Sequence, residues 1–424
     1  MRPTLHDAKM HSRHTAGRAA FQFRDFRLFC LARLSSVFAL AMQNVAVGWF
    51  VFELSHSAFA LGLTGLFTFL PAIVVAPMTG HIADRFDRRA IVAIAHAVAG
   101  ITAASLFLYA LSGLTFIWPI YCLVVLFGTA RAFGNTAMQA LLPNLVPRAH
   151  FGNAIAWNSS FQQIAYTAGP ATGGLLYFFG AHVVFAAAAV GFATASSAMA
   201  AIKVRSEPSK REKVSLATLS AGLTFILSRP IICGSISLDM VAVCVGGVTA
   251  LLPIFASSLG VDAWGLGTLR SAQAVGALAV AAFLAHRPVT HRAGVTMLSA
   301  VAIYGCAIIG FGLSTHVLTS IACLLVVGGI DQVSVYIRQT FVQSDTPDAM
   351  RGRVAAVSTI FVGASGSLGE FESGTLAAFV GAVPAVIIGG CGSIACAILW
   401  GYLFPQLRKR DALMTEEAEA SIAA

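Results

Sequence analysis

The 424-residue chain is 57% hydrophobic and only 11% charged, with a mean hydropathy of +0.80. A soluble domain carries roughly 25% charged residues, so an ordinary water-soluble protein is excluded, and there is room for about twelve membrane-spanning helices of some 20 to 27 residues. The formal net charge of +9 does not point to nucleic acid, because the basic residues are spread over alternate loops with no aromatic platform or groove-reading motif.

Residues 1–25 read as a basic tail. His6, His11 and His14 have no acidic or cysteine partner nearby, so a solvated tail is expected rather than a metal site. This polar stretch precedes any apolar run, so the first helix serves as its own insertion signal and no cleavable signal peptide is expected. A first six-helix bundle is expected over 26–202, with helices at about Phe26–Phe52, Phe59–Ala83, Ala90–Leu111, Ile117–Leu142, Asn153–Phe179 and Val183–Ile202. A charged linker with a short surface helix at 215–228 occupies 203–229. A second bundle is expected over 230–404, with helices at about Pro230–Ser257, Gly265–Ala285, Gly294–Leu313, Val317–Val342, Val354–Val380 and Pro384–Leu403. Residues 405–424 form a tail that starts basic and ends acidic. The eight cysteines all fall in apolar runs without a CxxC pair; they read as small apolar residues rather than ligands or disulfides.

Positive charge alternates with the loops. Counted by side, the amino tail and entry of helix 1 hold Arg2, Lys9, Arg13, Arg18, Arg24, Arg27 and Arg33, and the remaining basic loop residues lie in the linker, the even-numbered loops and the carboxyl tail. The odd loops, near His56, Gly113, Gly180, Asp262, Thr315 and Gly381, contain none. Positive loops stay inside, so both termini are expected in the cytoplasm, which requires an even number of spans.

The chain also repeats itself. A shift of 205 places Leu54, Ala58, Leu61 and Gly62 on Leu259, Ala263, Leu266 and Gly267. A shift of 200 places Gln139, Pro147, Gly152, Gly169 and Gly174 on Gln339, Pro347, Gly352, Gly369 and Gly374. Glycine and proline punctuation in register predicts two parallel halves related by an axis along the membrane normal.

Polar residues sort by helix. Helices 3, 6, 9 and 12 carry no Asp, Glu, Lys or Arg in their apolar cores, with His96 the main titratable exception. Helices 1, 4, 7 and 10 carry Gln43, Asn44, Arg131, Asn135, Asp239, Asp331, Gln332 and Arg338, and helix 11 adds Glu370 and Glu372. A charge at the bilayer centre costs about 2.5–3.5 kcal/mol on insertion scales, so such residues need a wet cavity or a partner. Helices 1, 4, 7 and 10 are therefore expected to line a path. Arg131, Asn135 and Gln139 are spaced by four and share a face. Arg131 and Asp331 are equivalent under the shift of 200; they read either as a static buried pair or as separate working groups, with Asp331, Glu370 and Asp239 as proton-coupling candidates. Glu370 and Glu372 stand roughly 200° apart around a helix, so both cannot face one cavity.

Two motifs carry a resemblance. GHIADRFDRR, Gly80 to Arg89, joins helices 2 and 3 and holds five charges in ten residues. Gly80 permits close helix approach, Asp84 can cap a helix or pair with an arginine, and Arg85, Arg88 and Arg89 mark the cytoplasmic side. AYTAGPATGG in helix 5 sets Gly169, Pro170, Gly173 and Gly174 as a small-residue face with a proline kink. The first resembles the loop between helices 2 and 3 of the major facilitator superfamily. The second resembles the antiporter signature of its drug exporters, with Ala165 in place of the first glycine. MQNVAVGWFVFELS, SAFALGL, LLPNLVP, TPDAMRGRV and LGEFESG extend the likeness to the enterobactin-exporter and secretion-effector branch, although Gly366 and Ser367 stand where relatives often carry Asn-Glu.

The resemblance implies an all-α membrane protein of twelve helices in two pseudo-symmetric bundles. It implies a monomeric carrier in the bacterial inner membrane that exports a siderophore, drug or other small amphiphile by proton antiport, with Gly80–Arg89 as a cytoplasmic gate. The alternatives are an importer or a lipid or metal-ion carrier of the same fold, or a membrane sensor that does not transport. No Walker motif, nucleophile elbow or metal-ligand spacing suggests an enzyme, a cofactor or a bound metal.

Overall fold

The computed structural model describes residues 19–147, 150–204 and 216–411. The tail histidines, Arg148, the linker charges from Arg205 to Lys213 and the acidic end of the chain lie outside the described residues, as do the side chains of Gly80 and Asp84.

The first half consists of α1 (Arg24–Ser55), α2 (Ala58–Arg85), α3 (Arg88–Leu111), α4 (Trp118–Leu141), α5 (Phe151–Tyr177) and α6 (Ala181–Ala200). A surface helix, α7 (Leu216–Ser228), packs on the second half. That half contains α8 (Pro230–Val245), α9 (Leu252–Ser258), α10 (Ala263–His286), α11 (Ala293–Gly312), α12 (Val317–Ser344), α13 (Asp348–Val380) and α14 (Ala382–Leu403), closed by the short α15 (Pro405–Lys409). Eleven spans among the described residues are long and apolar enough to cross a membrane, α8 and α9 counting as one. The twelfth, α5, is more polar because Asn153, Asn158, Gln162 and Gln163 lie along it. The chain is thus a multi-pass membrane protein with two six-helix bundles. Its exposed surface is rich in large apolar side chains such as Val74, Ile94, Leu108, Leu318 and Phe379, a pattern that suits lipid and would aggregate in water.

Two local expectations are corrected. The seventh span is not one helix. α8 stops at Gly246, a 3-10 turn follows at Thr249–Leu251, and α9 restarts with Pro253 in its first turn. The Gly246–Gly247 pair has poor helix propensity, and Gly247 lies so close to the backbone of Gly369 that a Cβ there would meet it at 3.0 Å. Broken helices are tolerated at membrane depth where protein or a cavity surrounds them. The second correction concerns the turn. Asp84 belongs to the last turn of α2, and the cap of α3 is Asp87, whose carboxylate accepts from the Arg89 backbone N–H at 3.0 Å.

The halves meet through α2 against α13 and α5 against α10. The contacts obey the sequence repeat. A Cβ on Gly374 would lie 2.6 Å from Gly62 Cα, and one on Gly174 would lie 3.0 Å from Gly267 Cα. Gly62 and Gly267 are repeat partners, as are Gly174 and Gly374, so the two seams are images of each other. Within each half the same rule holds: Gly169 packs on Ala41 of α1, and Gly369 packs on Val243 of α8. Both seams sit at the end of the molecule opposite the termini. Near the termini, Gly152 and Gly352 have nothing within 4 Å among the described residues. The glycine seams thus join the two bundles at the end away from the termini.

Candidate functional site

A cavity of about 270 Å³ lies between the halves. Gln43 and Asn44 of α1, Thr64 and Thr68 of α2, and Arg131 of α4 line it from the first half. Pro253 of α9, Arg270 of α10, and Ser367 and Glu370 of α13 line it from the second. The break before α9 lets Ala250 and Pro253 form part of its wall. Small residues make the room: a Cβ on Gly65 would fall 2.5 Å from a Glu370 carboxylate oxygen, so the glutamate fills the space a side chain would take.

Two polar atoms in this cavity are buried without a partner: Nε of Arg270 and Oε1 of Gln43. Gln43 is 2% exposed. Leaving a buried donor or acceptor unpaired costs about 1–3 kcal/mol, and native structures rarely keep such atoms without a reason. A polar guest supplies one. Two guanidiniums face one carboxylate here, so the lining carries an excess of positive charge.

A second polar cluster is enclosed within the second half. Arg338 Nε lies 3.2 Å from Asp239 Oδ2. Ser334 donates to Asp239 Oδ1 at 3.1 Å. Asp331 and Tyr304 share a small cavity with Asp239 and Ser334. Two carboxylates thus share one small enclosure, and Asp239 is the one paired with Arg338.

The predicted residues therefore divide into groups. Gln43, Asn44, Arg131 and Glu370 meet in the central cavity. Asp239 and Asp331 lie inside the second half, between α8, α11 and α12. Asn135 faces a pocket of the first half together with Arg131. Gln332 is half-buried and outside the central cavity. Arg131 and Asp331 occupy separate cavities, so the static-pair reading gives way: α12 turns Asp331 towards α8 and α11, while α4 turns Arg131 towards the seam. Glu370 and Glu372 diverge as the helix geometry requires, and one carboxylate oxygen of Glu372 is buried without a partner. The lining also draws on α2, α10 and α13, beyond the helices 1, 4, 7 and 10 expected.

Sequence reasoning missed Arg270. A lone arginine inside an apolar 24-residue helix was itself the signal, since a membrane charge without a stated partner marks a cavity. It also counted Arg33 with the terminal charges, whereas Arg33 lines an interior pocket.

Residues 15–421 match the family described as transmembrane secretion effector. The chain belongs to that family, a branch of the major facilitator superfamily. It is 30% identical over 390 residues to the enterobactin exporter EntS of Citrobacter koseri, covering 91% of this chain and 92% of the relative. It is 29% identical over the same length to EntS of Escherichia coli O1:K1, with the same coverage. Among solved structures, a mutant of the nucleoside transporter NupG superposes with a TM-score of 0.72 at 16% identity, covering 90% of this chain and all of the other. A bacterial homologue of the iron transporter ferroportin gives 0.66 at 15% identity, covering 91% and 99%. This secretion effector is therefore a secondary transporter and not an enzyme.

In the secretion effector the helix-5 motif is a packing device on two sides. Gly169 and Gly173 seat against Ala41 and Met42 of α1, and Gly174 seats against Gly267 across the seam. Two arginines of the turn reach carbonyls of their own half: Arg88 donates to the Ala140 carbonyl at 3.2 Å, and Arg89 donates to the Ile202 carbonyl and pairs with Asp87 at 3.2 Å. Arg85 is exposed.

Proposed function

We propose that this secretion effector exports a small amphiphilic molecule across the bacterial inner membrane by alternating access, with protons returning the other way. The observation that carries this reading is the central cavity: a space between the halves that holds Arg131, Arg270, Glu370 and an unpartnered Gln43, with paired glycines closing the halves on one another at one end. The lack of Lys and Arg in the odd loops supports termini in the cytoplasm. With the seam end closed, this orientation favours loading of the cavity from the cytoplasm, the side from which an exporter takes its cargo. Relatives named as enterobactin exporters support export and a siderophore-like cargo.

Gln43, Asn44, Arg131, Arg270 and Glu370 bind the cargo. Asp331 and Asp239 carry the proton: Asp239 is paired with Arg338, Asp331 shares its enclosure, and a proton can settle the second negative charge. The turn from Gly80 to Arg89 clamps the cytoplasmic face when the cavity opens outward. The chain acts as a monomer.

The test is extrusion of a panel of catecholate siderophores and cationic and anionic dyes from cells making the protein, with and without an uncoupler. Uncoupler-sensitive extrusion is expected. Flux that ignores the uncoupler would remove the proton from the cycle, and no flux of any compound would point to a sensor.

A further inference from the structure

The first half holds a pocket of its own, of about 160 Å³, between α1, α3, α4 and α5. Arg33 of α1, His96 of α3, Asn135 of α4 and Gln162 of α5 line it, and Arg131 stands on the wall it shares with the central cavity. Among the described residues, no Asp or Glu lines this pocket. Arg33 donates to Gln162 Oε1 at 2.5 Å and to Met138 Sδ at 3.2 Å. Its Nε remains buried without a partner, as does Nε2 of His96.

A neutral side chain could tie α1 to α4 and α5 through Gln162 and Met138. A guanidinium is not needed for that, and Arg33 is half-buried, so its charge is held partly out of water without a counter-charge, an arrangement that is costly unless something pairs with it. Arginine suits planar, bidentate recognition of carboxylate and phosphate. A void of roughly 150 Å³ takes a benzene ring in another protein, and apolar Val37, Leu40 and Phe127 complete this wall. The pocket thus combines a ring-sized space with unspent cationic donors.

We infer that this pocket is an anion-binding subsite, held by Arg33 and Arg131, for a small carboxylate, phenolate or phosphate. The anion is either the acidic end of the cargo, reaching past Arg131, or a free inorganic ion. The first source rests on the central cavity being the cargo site; the subsite itself does not.

The purified full chain in detergent is titrated with benzoate, with inorganic phosphate and with benzylamine as the cationic control, by calorimetry and thermal shift. Benzoate or phosphate binds and benzylamine does not. Arg33→Gln weakens the anion by about tenfold or more, as loss of a charge-assisted hydrogen bond implies. Ala99→Leu fills the same space with the charges intact and also weakens it, so the test survives if Arg33→Gln folds poorly. Arg270→Gln, outside the pocket, leaves anion affinity unchanged while lowering export, which separates this subsite from the transport reading. Benzoate binding without phosphate assigns the pocket to an aromatic acid end of the cargo; phosphate binding as tight as benzoate assigns it to free anions. Absence of any anion binding, or affinity that survives both Arg33→Gln and Ala99→Leu, overturns the inference.

Discussion

Arg338 and Asp239 form an ion pair at 3.2 Å with side chains only 5% and 6% exposed. The pair bridges α12 and α8, and Ser334 adds a second hold on the carboxylate. Breaking a buried pair by removing one partner costs about 3–5 kcal/mol, while replacing both by apolar residues is often close to neutral. Asp239→Asn or Arg338→Gln is therefore expected to lower thermal stability in detergent markedly. Asp239→Leu with Arg338→Met should recover most of that loss but not proton-driven transport. A double variant that transports normally would reduce the pair to scaffolding.

Asp331 shares that enclosure, and among the described residues lining it no Lys or Arg faces Asp331. Asp331→Asn keeps the shape and removes a charge that can be protonated. In reconstituted vesicles it should abolish transport driven by a pH gradient while leaving exchange of cargo for cargo intact. Retention of full coupling would take Asp331 out of the proton path.

The glycine seams predict a conformational phenotype. A Cβ on Gly374 would lie 2.6 Å from Gly62 Cα, closer than side chains tolerate. Overpacking costs about 1–3 kcal/mol, roughly a 5- to 150-fold change in the population of this state. Gly374→Leu should cut transport while leaving insertion normal, and should expose a cysteine placed at Leu61, which is 3% exposed here, to an impermeant thiol reagent. Gly352→Leu, with nothing within 4 Å among the described residues, should leave that labelling low.

The turn gives a contrasting prediction. Its arginines Arg88 and Arg89 contact carbonyls of their own half in this state, and the proposed clamp acts when the cavity opens outward. Asp84→Asn or Gly80→Leu should slow transport severalfold with little effect on the amount inserted. Unchanged rates in both variants would leave the turn as a topological marker alone.

Twelve spans and the two-half repeat were legible in the sequence because apolar runs and glycine punctuation are local signals. Gly62 and Gly267, aligned by a shift in the sequence, turn out to be one side of each seam. The break after Val245 was not legible, because an apolar run around Gly246–Gly247 reads as continuous until Gly369 is seen to press on it. The site was half legible. Charge depth marked Arg131 and Glu370, but which cavity each charge enters depends on helix rotation, so Asp331 and Arg131 could not be separated. Arg33 misled because its closeness to the terminal arginines masked its place inside the bundle.

Arg270 supplies the sharpest test of the cargo site. Its Nε is buried without a partner and it faces Glu370 across the same cavity. If cargo completes that donor, Arg270→Gln should weaken cargo affinity by roughly 10- to 150-fold, the range for a hydrogen bond to a charged group. Arg270→Lys should restore only part of it, because a point charge cannot reproduce the planar fork. Glu370→Gln removes the one carboxylate facing the two guanidiniums and should also depress transport, while Glu372→Gln, on the far side of the same helix, should leave cargo affinity near wild type. Binding to purified variants, measured apart from flux, decides the matter: equal losses at Glu370 and Glu372 would mean that the helix and not the cavity is what those glutamates serve.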